Sequence, residues 1–306
     1  MGSIEAAPAT PRKNFFIFGH NISHTLSPTI HNTGFRELAL PHHYGIHQTE
    51  SVDATVEAII KAEDFGGASV TFPHKLQIGR LLHAITPCAQ KIGAVNTVIV
   101  EEGSETGGRR LLGDNTDWHG IRRCIERGGL TDFGSSTALI LGAGGAARAA
   151  CYAIQELGIR RLLVVNRTVS KAAEMAEQFP HLDCQIFATL EDVISAESER
   201  EGLDMLPLRI IVACVPADNL GEEKIPAGLF SASEAGVLVE MAYRPQVTGM
   251  MAMASRHSVW TVFKGVDVLE EQAYAQFELW TRREAPVETM RAAMLAKIKE
   301  RAQDNP

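Results

Sequence analysis

Short apolar runs, each closed by glycine or proline, alternate along this chain with longer stretches of helical period. Asn14-Phe-Phe-Ile-Phe-Gly19 reads as a first strand. A polar loop over 20–28 follows, and Pro28 favours a helix start for residues 29–38. Ser27, just before that proline, suits the capping position. Residues 44–48 make a weaker strand. Apolar side chains recur at Val52, Val56, Ile59, Ile60 and Ala62, which predicts a helix over 52–65 stopped by Gly66 and Gly67. Ala68-Ser-Val-Thr-Phe-Pro-His-Lys75 is a strand that Pro73 must end. His74 and Lys75 therefore emerge at the strand's end, His74 as a packing or capping residue. Residues 84–92 read as a helix and 93–100 as a strand with Asn96 in its midst. Asparagine is depleted in strands, so Asn96 invites a hydrogen-bonding task. Residues 101–110 read as an exposed hairpin tip. Asp114, Asn115, Thr116 and Asp117 crowd the approach to a helix over 120–128, where either aspartate suits a cap.

From Thr137 the pattern becomes strand and helix in alternation, which describes a parallel sheet covered by helices and an α/β fold class. Strands are expected over 137–141, 161–165, 209–216, 237–245 and 261–265. Helices are expected over 146–157, 170–179, 268–282 and 287–303, with a loop at 204–207. Gln272 and Gln276 fall four residues apart on one helix face, the usual pattern of an exposed stripe. The strand ends at Val215-Pro216 and Ala242-Tyr243 should share an edge with the turn after Leu141, where open α/β sheets bind ligands.

That turn carries the first candidate chemistry. Leu139-Ile-Leu-Gly-Ala-Gly-Gly-Ala-Ala147 is a strand, a glycine-crowded turn and a helix start. Gly142 and Gly144 allow a tight turn and close backbone approach to a pyrophosphate at a helix N-terminus. Ala147 stands where the third glycine of the motif would be. About twenty residues on, a unit that binds NAD places an acid against the ribose hydroxyl. Here the strand ends in Asn166-Arg167-Thr168. An arginine flanked by amide and hydroxyl suits a 2′-phosphate, which favours NADP over NAD. Near the N-terminus, Thr25 and Ser27 place two hydroxyls beside a helix start, where they could grip a small carboxylate.

Composition narrows the choice. The 306 residues suggest two domains, and 45% hydrophobic with 22% charged residues is ordinary for a globular protein. A net charge of −8 argues against a nucleic-acid surface. No apolar run approaches the roughly 20 residues that span a bilayer. Residues 1–11 carry no basic-then-apolar signal and read as a loose arm on a cytoplasmic protein. The five cysteines, Cys88, Cys124, Cys151, Cys184 and Cys214, form no C-x-x-C pair, so reduced thiols are expected. The histidines show no ligand spacing with a matching acid, and no metal site is expected.

Several stretches together resemble the shikimate/quinate dehydrogenase family, in its fungal form. They are Ser23-His-Thr-Leu-Ser-Pro-Thr-Ile-His-Asn32, Gly67-Ala-Ser-Val-Thr-Phe-Pro-His-Lys75, Gly93-Ala-Val-Asn-Thr97, Gly113-Asp-Asn-Thr-Asp117, Gly142-Ala-Gly-Gly-Ala-Ala147, Glu240-Met-Ala-Tyr-Arg-Pro245, and Lys264-Gly265 through Gln272. The resemblance implies a substrate domain over 1–116 and 266–306 and a Rossmann-like NAD(P)-binding domain over 117–265, with the active site in the cleft. It implies that Lys75 and Asp117 are catalytic. Thr25 and Ser27 would hold the substrate carboxylate. Thr71, Asn96, Tyr243 and Gln272 would surround the ring hydroxyls. Gly142, Gly144, Gly145, Ala146, Asn166, Arg167, Thr168 and Gly265 would bind the dinucleotide.

The reaction implied is reversible hydride transfer between 3-dehydroshikimate and shikimate with NADP. The alternative is quinate oxidation with NAD or NADP on the same scaffold. A third reading is a non-catalytic quinate-pathway sensor, against which the retained Lys75 and Asp117 speak. The implied partner is a small-molecule substrate, with no nucleic acid and no membrane, on a monomer or homodimer. Three positions depart from the commoner family pattern: Thr25 replaces serine, Ser69 replaces asparagine, and Ala213-Cys-Val-Pro216 replaces Asn-Ala-Thr-Ser. The methyl of Thr25 falls near the carbon that distinguishes quinate from shikimate.

Overall fold

A computed structural model describes residues 10–102, 108–199, 206–231, 234–243 and 245–304. Most of the expected N-terminal arm, the tip of the 101–110 hairpin, part of the 204–207 loop and Arg244 lie outside the described residues. The first half of the chain runs β1 (Asn14–Gly19), α1 (Ser27–Glu37), β2 (His43–Gln48), α2 (Ala54–Lys61), β3 (Phe65–Val70), β4 (Ala84–Ile85), α3 (Pro87–Ile92), β5 (Thr97–Glu102), β6 (Arg109–Asp114) and α4 (Asp117–Arg127). The second half runs β7 (Thr137–Leu141), α5 (Gly145–Glu156), β8 (Arg161–Val165), α6 (Val169–Ala176), β9 (Asp183–Phe187), α7 (Leu190–Ser198), β10 (Leu208–Ala213), β11 (Gly236–Glu240), α8 (Gly249–Ala254), β12 (Trp260–Phe263), α9 (Gly265–Thr281) and α10 (Val287–Asp304). The chain divides into two compact units. Met1–Ile85, Val95–Asp114 and Ala273–Pro306 make the first; Thr86–Ala94 and Asn115–Gln272 make the second.

The second unit holds a six-stranded sheet in the order β12-β11-β10-β7-β8-β9. Every pair in it is parallel. Read from its other edge, this is the 3-2-1-4-5-6 order of doubly wound dinucleotide folds. The inner strands are apolar without alternation because both faces are covered. Ala138 and Ile140 face one core with Ala149, Ala150 and Ile154 of α5. Leu139 and Leu141 face the other, with Val193, Phe230, Met250 and Trp260. The sequence pattern found five of these six strands; β9 was missed because its residues are polar or half-buried at the sheet's edge.

The first unit holds a mixed sheet in the order β2-β1-β3-β5-β6-β4. β1 pairs parallel with β2 and β3, while β3–β5 and β5–β6 are antiparallel. Its core is aromatic: Phe15 lies 5.0 Å from Phe35 and 5.1 Å from Trp280, and Phe35 lies 5.4 Å from Phe277. Phe277 and Trp280 belong to the last turns of α9, so the chain's end completes a core begun at its start.

Several local expectations change. The helix expected over 52–65 is shorter, because the Asp53 side chain caps it through Thr55 N and Val56 N. It ends at Lys61 because Phe65 is already paired with Asn14 in the sheet. The Arg109 guanidinium takes the carbonyls of Ile60 and Ala62 that the helix leaves behind. The expected helix over 84–92 splits into β4 and a helix that Thr86 caps. Ser27 does not cap α1; it is the first helical residue, after Leu26, and its hydroxyl is used elsewhere. Neither Asp114 nor Asp117 caps α4; Thr116 holds that place, without a side-chain cap bond. Asn96 stands just before β5 rather than within it. Gln272 and Gln276 are buried, not exposed.

One buried group ties this core to pH. His31 is fully enclosed, its ring stacked 4.6 Å from Tyr44 and tilted against Trp280 at 4.9 Å. Burial lowers its pKa from 6.5 to about 3, with the nearby Gln276 amide opposing. The folded protein thus keeps His31 neutral where the unfolded chain binds a proton. Stability is full above the unfolded value and falls as pH drops toward the folded one, by up to about 1.4 kcal/mol per pH unit. Replacing His31 by Phe should flatten the fall of Tm between about pH 6 and pH 4. Thermal unfolding across that window checks it, and an unchanged slope would assign the acid sensitivity elsewhere.

Candidate active site

In the first unit the loop before α1 brings two hydroxyls together. Thr25 Oγ1 lies 3.1 Å from Ser27 Oγ and accepts from Ser27 N at 3.3 Å. Ser27 is buried and Thr25 half-buried. Arg301 of α10 holds this loop from outside. Its guanidinium donates to His24 O at 2.5 Å and Thr25 O at 3.4 Å. No spacing in the sequence pointed to Arg301.

Beneath the loop lies Tyr44. The hydroxyls of Ser69 and Ser27 reach its phenol, while burial pushes its ionisation well above the ordinary range. Tyr44 donates to Ser69 Oγ at 2.6 Å, and Ser69 donates to Gln276 Oε1 at 2.9 Å. The Gln276 amide donates to Thr97 Oγ1 at 2.8 Å and to Asn96 O at 3.2 Å. Thr97 in turn donates to Asn96 Oδ1 at 2.6 Å.

Thr71 follows β3 directly, and its N–H donates to Phe18 O at 2.9 Å. Lys75 sits in the short 3₁₀ turn over His74–Leu76, half-buried, at the end expected for it. Its carbonyl accepts from Val95 N at 2.8 Å, and Val70 N donates to Asn96 O at 2.6 Å. Those two bonds set the backbones of Lys75 and Asn96 side by side. His74 packs as expected: it is buried, with Nε2 3.0 Å from Thr49 O.

In the second unit, Asp117 opens α4 and is 7% exposed. Asn115 shapes the turn before it. Its Oδ1 accepts from Asp117 N at 3.0 Å and its Nδ2 donates to Ala94 O at 2.9 Å. Thr116 donates to Gln272 Oε1 at 3.1 Å, and Gln272 Nε2 donates to Leu269 O at 3.0 Å. Tyr243, 49% exposed, follows β11. Desolvation and the Asp117 carboxylate both push its phenol pKa upward. With so much of the ring exposed, the carboxylate is the cause that holds: a phenolate is disfavoured beside an anion whatever its exposure.

Glu240, quoted only as part of a motif, proves to organise the Tyr243 loop. It is buried, accepts from Ala242 N at 2.9 Å and from Thr248 Oγ1 at 2.7 Å, and burial raises its pKa.

The glycine turn lies where the sheet order reverses, between β7 and β10. Gly142 has φ +110°, and a Cβ there would stand 3.0 Å from Cys214 O. Gly144 precedes α5, and nothing lies within 4 Å of where its Cβ would be. Gly145 and Ala146 form the first turn of α5. Beyond β8, Asn166 Nδ2 donates to Thr168 O at 2.7 Å, and Arg167 is exposed. Lys171, also exposed, adds a second cation in the first turn of α6. Gly265 opens α9 with its α-carbon against the backbone of Met241 and Ala242. Among the described residues, no group of three His, Cys, Asp or Glu side chains is placed to hold a metal, and no helix is long and apolar enough to cross a membrane.

A doubly wound parallel sheet with a glycine turn at its switch point defines the class: a dinucleotide-binding α/β protein. Comparison with known proteins gives the family. The model for "Shikimate dehydrogenase substrate binding domain" matches residues 17–98, that for "Shikimate / quinate 5-dehydrogenase" 127–198, and that for "Shikimate 5'-dehydrogenase C-terminal domain" 265–295. The shikimate 5-dehydrogenase of Thermus thermophilus, solved with NADP(H) and shikimate, is 31% identical with a TM-score of 0.73, over 93% of this chain and 99% of that one. A pentafunctional AROM polypeptide from Malassezia globosa is 44% identical over 89% of this chain, and a quinate repressor protein from Emericella nidulans is 36% identical over 94%. This chain spans 17% of the AROM polypeptide's length and 35% of the repressor's. The chain belongs to the shikimate/quinate dehydrogenase family.

The two glycines of the turn should differ under substitution. Gly142→Ala forces a side chain into a left-handed backbone and against Cys214, and should cost about 1–3 kcal/mol. Gly144→Ala meets open space at an ordinary φ and should leave Tm within about a degree of wild type. Thermal denaturation of the two variants checks the contrast, and equal losses would contradict it.

Proposed function

We propose that the chain is an NADP-dependent shikimate 5-dehydrogenase that interconverts 3-dehydroshikimate and shikimate. The observation that carries this reading is the pairing, in one chain of this family, of a lysine at a strand's end with a buried aspartate at a helix start. Lys75 and Asp117 are the two groups needed to move a hydroxyl proton, and a sensor has no use for them.

The glycine turn supports a bound dinucleotide. The N-terminus of α5 is favourable for a pyrophosphate, and the open space beside Gly144 leaves room for one. Gly145 and Ala146 offer backbone N–H groups, and Gly265 keeps a neighbouring backbone close. Asn166, Arg167 and Thr168 would receive the adenosine ribose. No acid stands there to bind a 2′-hydroxyl, and the cations of Arg167 and Lys171 suit a 2′-phosphate. The nicotinamide supplies the hydride acceptor when bound.

Lys75 Nζ takes the hydroxyl proton as the alcohol is oxidised and returns it in the reverse direction. Asp117 orients the hydroxyl. Thr25 and Ser27 hold the carboxylate, with Arg301 fixing the backbone that carries them. Thr71, Asn96, Tyr243 and Gln272 contact the ring hydroxyls. The five cysteines, none of them in a disulfide, agree with a reducing, cytoplasmic setting.

Quinate oxidation is the second reading, favoured by the methyl of Thr25 beside the carboxylate-bearing carbon. Purified protein assayed with shikimate and quinate against NADP and NAD separates the two. Shikimate with NADP should be the fastest pair; turnover only with quinate would reject the first reading. Ligand binding without turnover of either would leave a sensor.

Lys75→Ala should lower kcat by about 10²- to 10⁴-fold with NADP affinity intact, and near-native kcat would remove Lys75 from the mechanism. Arg167→Ala should weaken NADP by about 10- to 100-fold and NAD far less. Equal weakening would sink the 2′-phosphate argument.

A further inference from the structure

Five buried side chains of the first unit, Tyr44, Ser69, Gln276, Thr97 and Asn96, are joined by hydrogen bonds whose directions run from one anchor. The anchor is the backbone carbonyl of Asn96. A carbonyl only accepts, so the Gln276 atom 3.2 Å from it is the amide nitrogen. Gln276 Oε1 must then face Ser69, and Ser69 must give it a hydrogen. Having donated, Ser69 can only accept from Tyr44. On the other side, the second hydrogen of Gln276 Nε2 goes to Thr97 Oγ1. Thr97 accepts it and gives its own hydrogen to Asn96 Oδ1. From the Asn96 carbonyl to Tyr44 each step follows from the one before; at Thr97 the hydroxyl gives its one hydrogen to Asn96 Oδ1, which puts the Asn96 amide nitrogen on the far side.

We infer that Gln276 and Thr97 are positioning residues that hold the Asn96 side chain with Oδ1 turned toward Thr97 and Nδ2 turned away from it, so that Asn96 meets the substrate as a hydrogen donor. The inference rests on the reading above that Asn96 contacts the substrate. It adds that the substrate atom there is a lone-pair acceptor, a hydroxyl or carbonyl oxygen. It also gives Ser69 its use: the hydroxyl that replaces the commoner asparagine is spent inside the relay, between Tyr44 and Gln276.

A neutral amide turned the wrong way places oxygen against oxygen, so loss of the relay should appear in substrate affinity before turnover. Thr97→Val keeps the shape and removes the donor to Oδ1; Gln276→Met keeps the length and removes the anchor. Each should raise the KM of the substrate that wild-type protein turns over by about tenfold, with a smaller change in kcat and unchanged NADP affinity. Thr97→Ser should restore wild-type KM. In the background of Asn96→Ala, Thr97→Val should have little further effect, because the group it positions is gone.

Additive losses in that cycle, or no rescue by serine, would overturn the inference and leave the relay as core structure. A neutron structure of the ligand-free protein provides the second measurement, independent of the reaction. It should place deuterium on the Asn96 atom remote from Thr97, and the opposite placement overturns the inference. If wild-type protein turns over neither shikimate nor quinate, the proposed function fails, and the neutron result still decides the orientation.

Discussion

A strand covered on both faces has no polar surface except at its ends. The four inner strands of the parallel sheet in the second unit, β11, β10, β7 and β8, are of this kind, so their hydrogen bonds are spent on their neighbours and their side chains on two apolar cores. The carboxyl edge is what remains for chemistry. The glycine turn after β7, Asn166 to Thr168 after β8, Cys214 after β10 and Tyr243 after β11 all stand there. Their spread along the sequence is large and their common position follows from strand direction alone. Where the order reverses, between β7 and β10, the two neighbouring turns leave the sheet in opposite directions and a ligand can approach the backbone.

The parallel sheet was legible because burial on both faces produces apolar runs no other architecture requires. The glycine turn was legible because Gly142 has a backbone conformation few residues tolerate. β9 was illegible for the converse reason: an edge strand with Asp183 and Gln185 exposed has no apolar signature. Helix boundaries moved wherever a long-range partner intervened. Nothing local says that Phe65 pairs with Asn14, or that Arg109 will take the carbonyls at the end of α2.

The site shows the same division. Lys75 and Asp117, the residues proposed to move the proton, stand out through motifs and through the logic of strand and helix ends. Gln276 was read as surface because a glutamine on a helix usually is. Its burial depends on β3 and β5 placing Ser69, Thr97 and the Asn96 carbonyl opposite it, and that depends on pairings some two hundred residues away in sequence. Arg301 was missed similarly, since its task is set by where α10 packs on α1. The polar residues that act directly leave marks in the sequence. Those that hold them in place leave few, because their partners are set by tertiary structure.

Buried polar groups usually cost stability, and an apolar side chain at position 276 would bring no donor or acceptor of its own to satisfy. The relay is nevertheless complete: each member from Ser69 to Thr97 both gives and receives. A network anchored on a carbonyl fixes which atoms give hydrogens and which receive them, whereas an apolar contact fixes shape but not polarity. A site that must tell one face of a ligand from another, as the proposed function requires, needs polarity fixed before the ligand arrives, since turning an amide during binding would subtract from affinity. The same aromatic core that buries His31 in a neutral state excludes water from the relay. The stability the core gives up in acid and the orientation it holds at neutral pH therefore have one physical source.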